Sequence, residues 1–391
     1  MKSKLRPAAA PAATHAGTSY VTAPTRLCRR SGLCSLLAVL LMLGGLAVTT
    51  DADAAAKRRN RPPATTTTKA ATAAAATATP AIAAVDYSTR DDVRQFIAEL
   101  VERHGFDADE LARAFTQIRF DNSVIRLMQP PSAAFKRSWA VYRTRFLDPL
   151  RIREGVRFWR EHEADIRRAS QQYGVPEEII VGIIGVETIY GRITGDYRVV
   201  DALTILAFDY PRRAAFFRSE LEQFLLYTRD SGLPPASIKG SFAGAIGLPQ
   251  FMPGSIRRYA VDFDGDGRID LRASPVDAIG SVARFLAEHG WRRGETTRLP
   301  ALFADEARLR PLVEAGIEPR FTLAELANHG ISSVAGVPDD MKLALIDLPN
   351  GDGPVSYYLG TPNFYVITRY NRSSFYAMAV IELARTLASA R

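Results

Sequence analysis

The spacing of apolar residues predicts a largely helical protein. Near the start of the folded part, apolar residues recur at steps of three and four, as they do on one face of a helix. These residues are Val93, Phe96, Ile97, Leu100 and Val101. Because such a face must pack against another element, we expect residues 86–168 to form a helical domain.

A second stripe at helical spacing is aromatic. It follows a Pro-Pro break and consists of Phe135, Trp139, Tyr142 and Phe146. Buried aromatic rings ordinarily pack in a core, because they remove a large apolar area from water. Packing is therefore the expected role of this stripe, and stacking on a ligand is the alternative for Tyr142 or Trp139.

A third helical pattern carries a carboxylate on its apolar face. Pro176 followed by Glu177 and Glu178 signals a helix start. Ile180 is then followed seven residues later, on the same stripe, by Glu187. Desolvation at such a position raises the pKa of a carboxylic acid, which suits it to donate a proton near neutral pH. Glu187 is thus a candidate general acid, the alternative being a structural carboxylate tied to a helix terminus.

The pattern changes after the helical segments. Leu343 to Leu348 and Val355 to Leu359 read as short strands. Between them lie Asn-Gly and Asp-Gly steps, which are typical of turns. We expect a small β-containing domain at residues 299–360, with residues 361–391 returning to the core as a final helix around 374–388.

The first 85 residues have the composition of an export signal followed by a linker. A basic leader precedes an apolar stretch from Leu36 to Val48, and small residues suited to a cleavage site follow it. Residues 57–85 have almost no large apolar side chains and cannot bury enough surface to fold. We expect residues 1–54 to be a signal peptide or uncleaved anchor, residues 55–85 to be a disordered linker, and the protein to be periplasmic.

The net charge of +8 is concentrated in this N-terminal part. Residues 1–85 hold eleven Lys and Arg against two Asp, whereas residues 86–391 hold 39 basic and 40 acidic residues. A protein that grips phosphates is expected to keep its basic charge on the folded surface. The charge distribution therefore argues against nucleic acid as the partner.

An acidic segment resembles the opening of a calcium loop. Asp262, Asp264 and Asp266 alternate and are followed by Gly267, as in an EF-hand. The match then fails, because the twelfth position is Ala273 where a glutamate is expected. The alternatives are a longer loop that closes on a later acid, or an acidic turn that holds no ion.

Several motifs, in the same order, resemble the membrane-bound lytic murein transglycosylase B family. The resemblance extends over residues 121–376. The motifs are Gly185-Val186-Glu187-Thr188-Ile189-Tyr190-Gly191, Tyr210-Pro211-Arg212-Arg213, Lys239-Gly240-Ser241-Phe242-Ala243-Gly244-Ala245-Ile246-Gly247, Gln250-Phe251-Met252-Pro253, and Tyr370-Asn371-Arg372-Ser373-Ser374-Phe375-Tyr376.

The resemblance implies a lysozyme-like core at residues 169–298 that cleaves the β-1,4 bond between N-acetylmuramic acid and N-acetylglucosamine without water. The product would be a 1,6-anhydromuramoyl end. Glu187 matches the residue that protonates the glycosidic oxygen and then accepts the proton of the C6 hydroxyl. The motifs supply no second acid as an obvious nucleophile, whereas most glycosidases need a pair. Asp196, Asp201 and Asp209 lie downstream, and we expect them to cap helices or lie on the surface.

The family's other site residues transfer one position at a time. The substrate-binding candidates implied by the resemblance are Tyr142, Arg212, Arg213, Ser241, Gln250, Tyr370, Asn371 and Tyr376. The resemblance also implies an enlarged EF-hand-like calcium site over residues 262–277. Its ligands would be Asp262, Asp264, Asp266, the Arg268 carbonyl and Asp277, with Asp270 less firmly placed. Calcium would be structural, and no cofactor is expected for the chemistry.

These patterns predict a predominantly α (α+β) protein, with a lysozyme-like core, an N-terminal helical domain, an EF-hand-like loop and a small β-containing domain. Its partners would be peptidoglycan glycan strands, with cell-wall synthases as further candidates, and it would be a monomer. The alternative functions are a hydrolytic muramidase, a non-catalytic peptidoglycan-binding scaffold and a calcium-regulated structural protein.

Overall fold

The computed structural model describes residues 84–130, 136–333 and 336–391. The predicted signal segment and the predicted linker as far as residue 83 lie outside these ranges. Within them, no helix combines the length and the apolar character needed to cross a membrane.

The described residues are predominantly helical, as the sequence predicts. The helices are α1 Asp91–His104, α2 Ala108–Phe115, α3 Asn122–Leu127, α4 Trp139–Thr144, α5 Pro149–Glu161, α6 Glu163–Tyr173, α7 Glu177–Thr188, α8 Val199–Phe208, α9 Ala214–Asp230, α10 Pro253–Tyr259, α11 Pro275–Glu288, α12 Arg310–Glu314, α13 Leu323–Ala327, α14 Pro362–Tyr370 and α15 Ser374–Ala390.

The strands are short and antiparallel. They are β1 Ala84–Val85, β2 Ile118–Arg119, β3 Tyr197–Arg198, β4 Lys239–Gly240, β5 Arg298–Pro300, β6 Leu302–Phe303, β7 Ile331–Ser332, β8 Ala344–Asn350 and β9 Gly353–Gly360. They pair as β1 with β2, β3 with β4 and β6 with β7, and β5, β9 and β8 form a three-stranded sheet in that order.

Local signals account for many helix boundaries. Asp107 caps α2 by accepting from the Glu110 N–H at 2.7 Å. Gly105 and Gly174 follow α1 and α6 in the left-handed conformation, which ends a helix at little cost for glycine. Pro176 precedes α7 as its N-cap and is not the first helical residue that the sequence predicts.

Helix α7 is the centre of the main core. It packs against α5, α6, α11 and α15, and so it is apolar on almost every side. Gly182 allows α15 to approach closely, since a Cβ at this position would lie 3.2 Å from that of Ala384. The helix that carries Glu187 is therefore held by neighbours on several sides.

A second hydrophobic core lies in the C-terminal part. Leu299, Leu309, Leu326, Leu345 and Leu359 are among its buried members. It forms around the hairpin β8–β9, where the sequence predicts two strands and a turn. The hairpin also contacts the main core, because Ile346 and Leu348 on β8 belong to it. The exact boundaries of the predicted domains stay a prediction.

Phe135 of the predicted aromatic stripe lies outside the described residues, and the rest of the stripe forms only a short helix. Trp139 and Tyr142 lie in α4, which has six residues, and Phe146 follows it. The Trp139 and Tyr142 rings pack on Phe375 of α15 with centroids 5.6 and 5.4 Å away, and Phe146 packs on Tyr142 at 5.0 Å. This packing attaches the N-terminal helices to the helix that closes the core.

Candidate active site

Glu187 lies in the last turn of α7 and is partly buried. The Tyr376 hydroxyl, on α15, donates a hydrogen bond to Glu187 Oε1 at 2.6 Å. Burial raises the pKa of Glu187 to about 7, and the Tyr376 hydrogen bond opposes this shift by stabilising the carboxylate. The carboxyl can therefore exchange a proton near neutral pH.

Three predicted tyrosines surround this carboxyl. Tyr376 is fully buried, and its ring stacks on that of Tyr370 with centroids 6.3 Å apart. Burial, and secondly the charge of Glu187, raise the pKa of Tyr142 and Tyr370 above the ordinary value. Burial likewise raises the pKa of Tyr376, so the three phenols remain protonated and add no negative charge beside the carboxyl group.

Tyr142 and Tyr370 differ in their hydroxyl partners. The Tyr370 hydroxyl donates to the Pro249 carbonyl. The Tyr142 hydroxyl is buried and has no hydrogen-bond partner in the described part of the chain. A buried polar group without a partner is energetically costly.

The chain turns sharply directly after α7. Ile189 and Tyr190 have φ of +51° and +58°, in the left-handed region that non-glycine residues avoid. For a β-branched residue such as Ile189 this conformation is strained, and such strain concentrates at functional sites. Gln250 also has a φ of +51°, so both segments beside the site have strained backbone.

A cleft of about 1120 Å³ lies beside Tyr370. Five of the predicted site residues line it: Arg212, Arg213, Gln250, Tyr370 and Asn371. Among the described residues, Glu187, Tyr142, Ser241 and Tyr376 are not on its wall. The carboxyl group is connected to the cleft through the stacked pair Tyr376 and Tyr370.

The predicted Arg pair occupies the turn before α9. Arg213 lies over the Phe216 ring, with its guanidinium carbon 4.3 Å from the ring centroid. This stacking orients the guanidinium, while Arg212 is exposed. Both side chains border the cleft, where a guanidinium can bind a carboxylate through two hydrogen bonds.

Ser241 and Gln250 organise the loop between β4 and α10. The Ser241 hydroxyl is buried and accepts from the backbone N–H groups of Ala243 and Ala245. The Gln250 amide donates to the carbonyls of Thr194 and Gly247 at 3.1 and 2.9 Å. Both side chains therefore make hydrogen bonds that shape the loop, and Gln250 also lines the cleft.

Asn371 follows the last residue of α14 in extended conformation and is largely buried. Its backbone carbonyl accepts from the Ser373 N–H at 2.7 Å, which shapes the short connection between α14 and α15. This connection places Tyr370 and Asn371 at the cleft and Tyr376 at Glu187.

The downstream aspartates are engaged elsewhere. Asp209 accepts from Tyr87 and Arg90. Asp201 pairs with Arg198 at 3.2 Å and is buried, so the expected surface or capping role is wrong for this residue. Asp196 is half-buried. Burial and the Tyr376 hydrogen bond account for the pKa of Glu187, and no second carboxylate of the described chain contributes to it.

Much of the positive charge around the cleft comes from arginines that were not among the predicted site residues. Arg257, Arg258, Arg369 and Arg372 also line it, and Glu220 is the acidic residue among the described lining residues. Arg369 and Arg372 flank the Tyr370-Asn371 motif, so their position at the cleft could have been predicted from the sequence. The position of Arg257 and Arg258 could not, because only folding brings α10 to this cleft.

The acidic segment brings three predicted ligands together. Asp262, Asp264 and Asp277 each offer a carboxylate oxygen within 4.8 Å of the others. Asp277, in the first turn of α11, is buried and accepts from the N–H groups of Phe263 and Asp270 at 2.8 Å. Burial raises the pKa of Asp277, so a cation that offset its charge would favour the ionised form.

The other predicted ligands are arranged differently. Asp266 is exposed and accepts from the Arg268 N–H at 2.8 Å, outside the group of three. Asp270 accepts from Arg272 and Ala273 N–H groups. Three convergent carboxylates are hard oxygen donors, and this donor set fits calcium.

Comparison with known proteins agrees with these features. Residues 88–385 match the model of the Transglycosylase SLT domain family. Membrane-bound lytic murein transglycosylase B of Escherichia coli (strain K12) is 44% identical over 314 residues, which span 78% of this chain and 85% of that protein.

Solved structures are also similar. Soluble lytic transglycosylase SltB1 from Pseudomonas aeruginosa is 47% identical, with a TM-score of 0.71 over 77% of this chain and 99% of that one. Escherichia coli lytic transglycosylase Slt35 in complex with calcium is 44% identical, with a TM-score of 0.71 over 79% and 96%. The predicted lysozyme-like fold is thereby confirmed. The chain belongs to the SLT transglycosylase family and is a lytic transglycosylase that acts on peptidoglycan.

Proposed function

We propose that Glu187 is the single acid and base of a non-hydrolytic cleavage that leaves 1,6-anhydromuramoyl ends. The observation that carries this proposal is the environment of the carboxyl group. Its pKa is raised to about 7 by burial, Tyr376 orients it, and no other carboxylate of the described chain contributes to its pKa. One group can then act as an acid and as a base within one turnover.

In the first step, protonated Glu187 donates its proton to the glycosidic oxygen as the bond from that oxygen to C1 of N-acetylmuramic acid breaks. In the second step, the Glu187 carboxylate accepts the proton of the sugar's C6 hydroxyl as the C6 oxygen bonds to C1. The proton lost by the enzyme is thus recovered from the substrate. No water is consumed, and the enzyme returns to its starting state.

The cleft is the proposed binding site for the glycan strand. Arg212 and Arg213 supply charge, and Gln250 and Asn371 supply amide groups that suit hydroxyl and N-acetyl groups. Tyr370 continues this wall toward Glu187. Ser241 and Tyr142 are proposed to act next to the cleft, Ser241 through the loop that it organises.

Calcium is proposed as a structural ion held by Asp262, Asp264 and Asp277, with Asp266 and the Arg268 carbonyl as additional ligands. The convergence of three carboxylates and the calcium complex of Slt35 support this proposal. The ion would supply positive charge that joins the start of α11 to the preceding loop. It has no proposed part in proton transfer.

We place the protein in the cell envelope and propose that it is periplasmic and exported by its N-terminal segment. The name of the Escherichia coli relative supports the envelope location. A monomeric state and cell-wall synthases as partners are further proposals from the sequence.

The product distinguishes this mechanism from its alternatives. We expect the purified protein, incubated with sacculi, to release muropeptides that mass spectrometry identifies as anhydro species. Reducing ends, which are heavier by one water, would instead indicate a hydrolytic muramidase. Binding to sacculi without any release would indicate a scaffold, and binding that required calcium without release would indicate a calcium-regulated structural protein.

Tyr376→Phe tests how the Tyr376 hydroxyl affects the pKa and the orientation of the Glu187 carboxyl group. Loss of the hydrogen bond removes an interaction that favours the carboxylate, so the pKa of Glu187 rises further. Because the protonated form starts the reaction, we expect the basic limb of the kcat/KM profile to move up by about one pH unit. We also expect kcat to fall about tenfold, because the carboxyl group loses its orienting partner.

The matched control is Tyr370→Phe. Its hydroxyl bonds to the Pro249 carbonyl and not to Glu187, so KM is expected to rise while the basic limb stays in place. An equal shift of the basic limb of the kcat/KM profile in both variants would contradict the role assigned to Tyr376.

A further inference from the structure

We infer that Thr188 is a positioning residue for Glu187. Its hydroxyl group connects the end of α7 by a hydrogen bond to the loop that carries Gln250. A second hydrogen bond of the same hydroxyl stabilises the strained turn that follows the helix. This inference rests on the proposed role of Glu187, which is the adjacent residue.

The Thr188 hydroxyl is fully buried and has partners on both sides. It donates to the Leu248 carbonyl at 2.8 Å and accepts from the Gly191 N–H at 3.0 Å. The Ile184 carbonyl, one turn back in α7, is a more distant acceptor at 3.3 Å. The shorter bond is therefore directed away from the helix, toward another segment of the chain.

This hydroxyl spans the strained turn. Ile189 and Tyr190, both with positive φ, lie between Thr188 and Gly191. Two hydrogen bonds close the turn. The Gly191 N–H donates to the Thr188 hydroxyl, and the Ile193 N–H donates to the Thr188 carbonyl at 3.0 Å. Strained backbone persists only where its surroundings over-determine it. Without the hydroxyl, one closing bond is lost and the last turn of α7 can relax.

Leu248 connects the same point to the acidic loop. Its carbonyl accepts from Thr188, and its N–H donates to the Leu271 carbonyl at 2.8 Å. Gly247 lies so close to Leu271 that a Cβ there would be 2.3 Å from that carbonyl oxygen. One peptide segment thus joins the helix of Glu187, the cleft residue Gln250 and the proposed calcium loop.

Thr204 offers a matched comparison within the same core. It is also fully buried and lies in α8, but its hydroxyl has no hydrogen-bond partner among the described residues. Replacing either threonine by valine removes a hydroxyl from a buried site with almost no change of volume. Only at Thr188 does the change break bonds that adjoin Glu187.

The experiment compares Thr188→Val, Thr188→Ser and Thr204→Val by steady-state kinetics on sacculi across pH, normalised to folded protein. For Thr188→Val we expect kcat to fall roughly 10- to 100-fold, the scale of a small misplacement of a reacting group. KM should change little, and the basic limb should move to lower pH, because a loosened turn admits water to the carboxyl group. Thr188→Ser should retain most of the parent kcat, and Thr204→Val should match the parent.

Three results would overturn the inference. One is a Thr188→Val profile equal to that of Thr204→Val. Another is a loss of the same size in Thr188→Ser, which would assign the effect to the methyl group. If Thr188→Val does not fold, Thr188→Ala replaces it, and failure of both variants while Thr204→Val folds would make the hydroxyl a requirement of folding and not of positioning.

The proposed function can fail separately. Full activity of Glu187→Gln would show that Glu187 is not the acid and base, independently of any result for Thr188. An inactive Glu187→Gln together with a fully active Thr188→Val would leave the proposed function intact and overturn only the positioning role.

Discussion

Glu187→Gln is expected to lower the release of soluble muropeptides by roughly 10²- to 10⁴-fold, the usual contribution of a general acid or base. Glutamine keeps the size of the side chain and can still accept from the Tyr376 hydroxyl, but it has no proton to donate or recover. Release from sacculi, followed by liquid chromatography and mass spectrometry, measures the effect. Sacculus binding by the variant serves as the control for folding and for the cleft.

The same substitution should stabilise the protein above neutral pH. Because burial raises the pKa of Glu187 to about 7 from 4.5, ionisation costs stability as pH rises through this interval. Gln avoids that cost, so its free energy of unfolding should exceed the parent's by the order of 1–3 kcal/mol at pH 8. The difference should be small at pH 4, where the carboxyl group of the parent is mostly protonated in both the folded and the unfolded state. Equal urea midpoints at pH 8 would show that the carboxyl group is solvated.

Asp277→Asn is expected to have the largest effect on calcium-dependent stability. In the parent, calcium at a hundred times its Kd should add about 2.7 kcal/mol to the free energy of unfolding. In the variant this increment should disappear, since the buried ligand loses its charge. The calcium-free protein should also lose about 1–3 kcal/mol, because the amide oxygen can replace only one of the two carboxylate oxygens, and the NH2 group cannot accept from the other of the Phe263 and Asp270 N–H groups.

Asp266→Asn is the matched control for this prediction. As an exposed additional ligand outside the convergent group, Asp266 should contribute less than Asp277, so most of the calcium increment should remain. Thermal melts of the parent and both variants, with calcium and with a chelator, supply the comparison. Loss of the increment in Asp266→Asn alone would assign the ion to a different ligand set.

Much of the helical architecture follows from local signals. The stripe that includes Val93 and Leu100 forms α1, and the run after Pro176 forms α7. The Asn-Gly and Asp-Gly steps likewise lie at the turn of the hairpin β8–β9. Periodicity and turn residues are properties of neighbouring positions, and they can therefore be recognised in the sequence without a tertiary structure.

Other features could not be predicted from the sequence because they depend on residues that are distant along the chain. The aromatic stripe predicts a longer helix than α4, and packing on Phe375 is what organises its rings. Asp201 looks like a helix cap but is buried against Arg198. Arg257 and Arg258 reach the cleft only because α10 folds beside α9.

The helical class, the apolar helix that carries Glu187 and the alternating carboxylates of residues 262–266 follow from the sequence alone, because each depends on spacing along one segment. The degree to which Glu187 is desolvated depends on the fold, since burial by its neighbours and the hydroxyl of Tyr376, 189 residues away, set its pKa. The fold also brings Asp277, which the resemblance implies as a ligand, to Asp262 and Asp264, while Asp266 lies outside this group of three. Desolvation and ligand convergence are properties of three-dimensional proximity, which spacing within a segment does not specify.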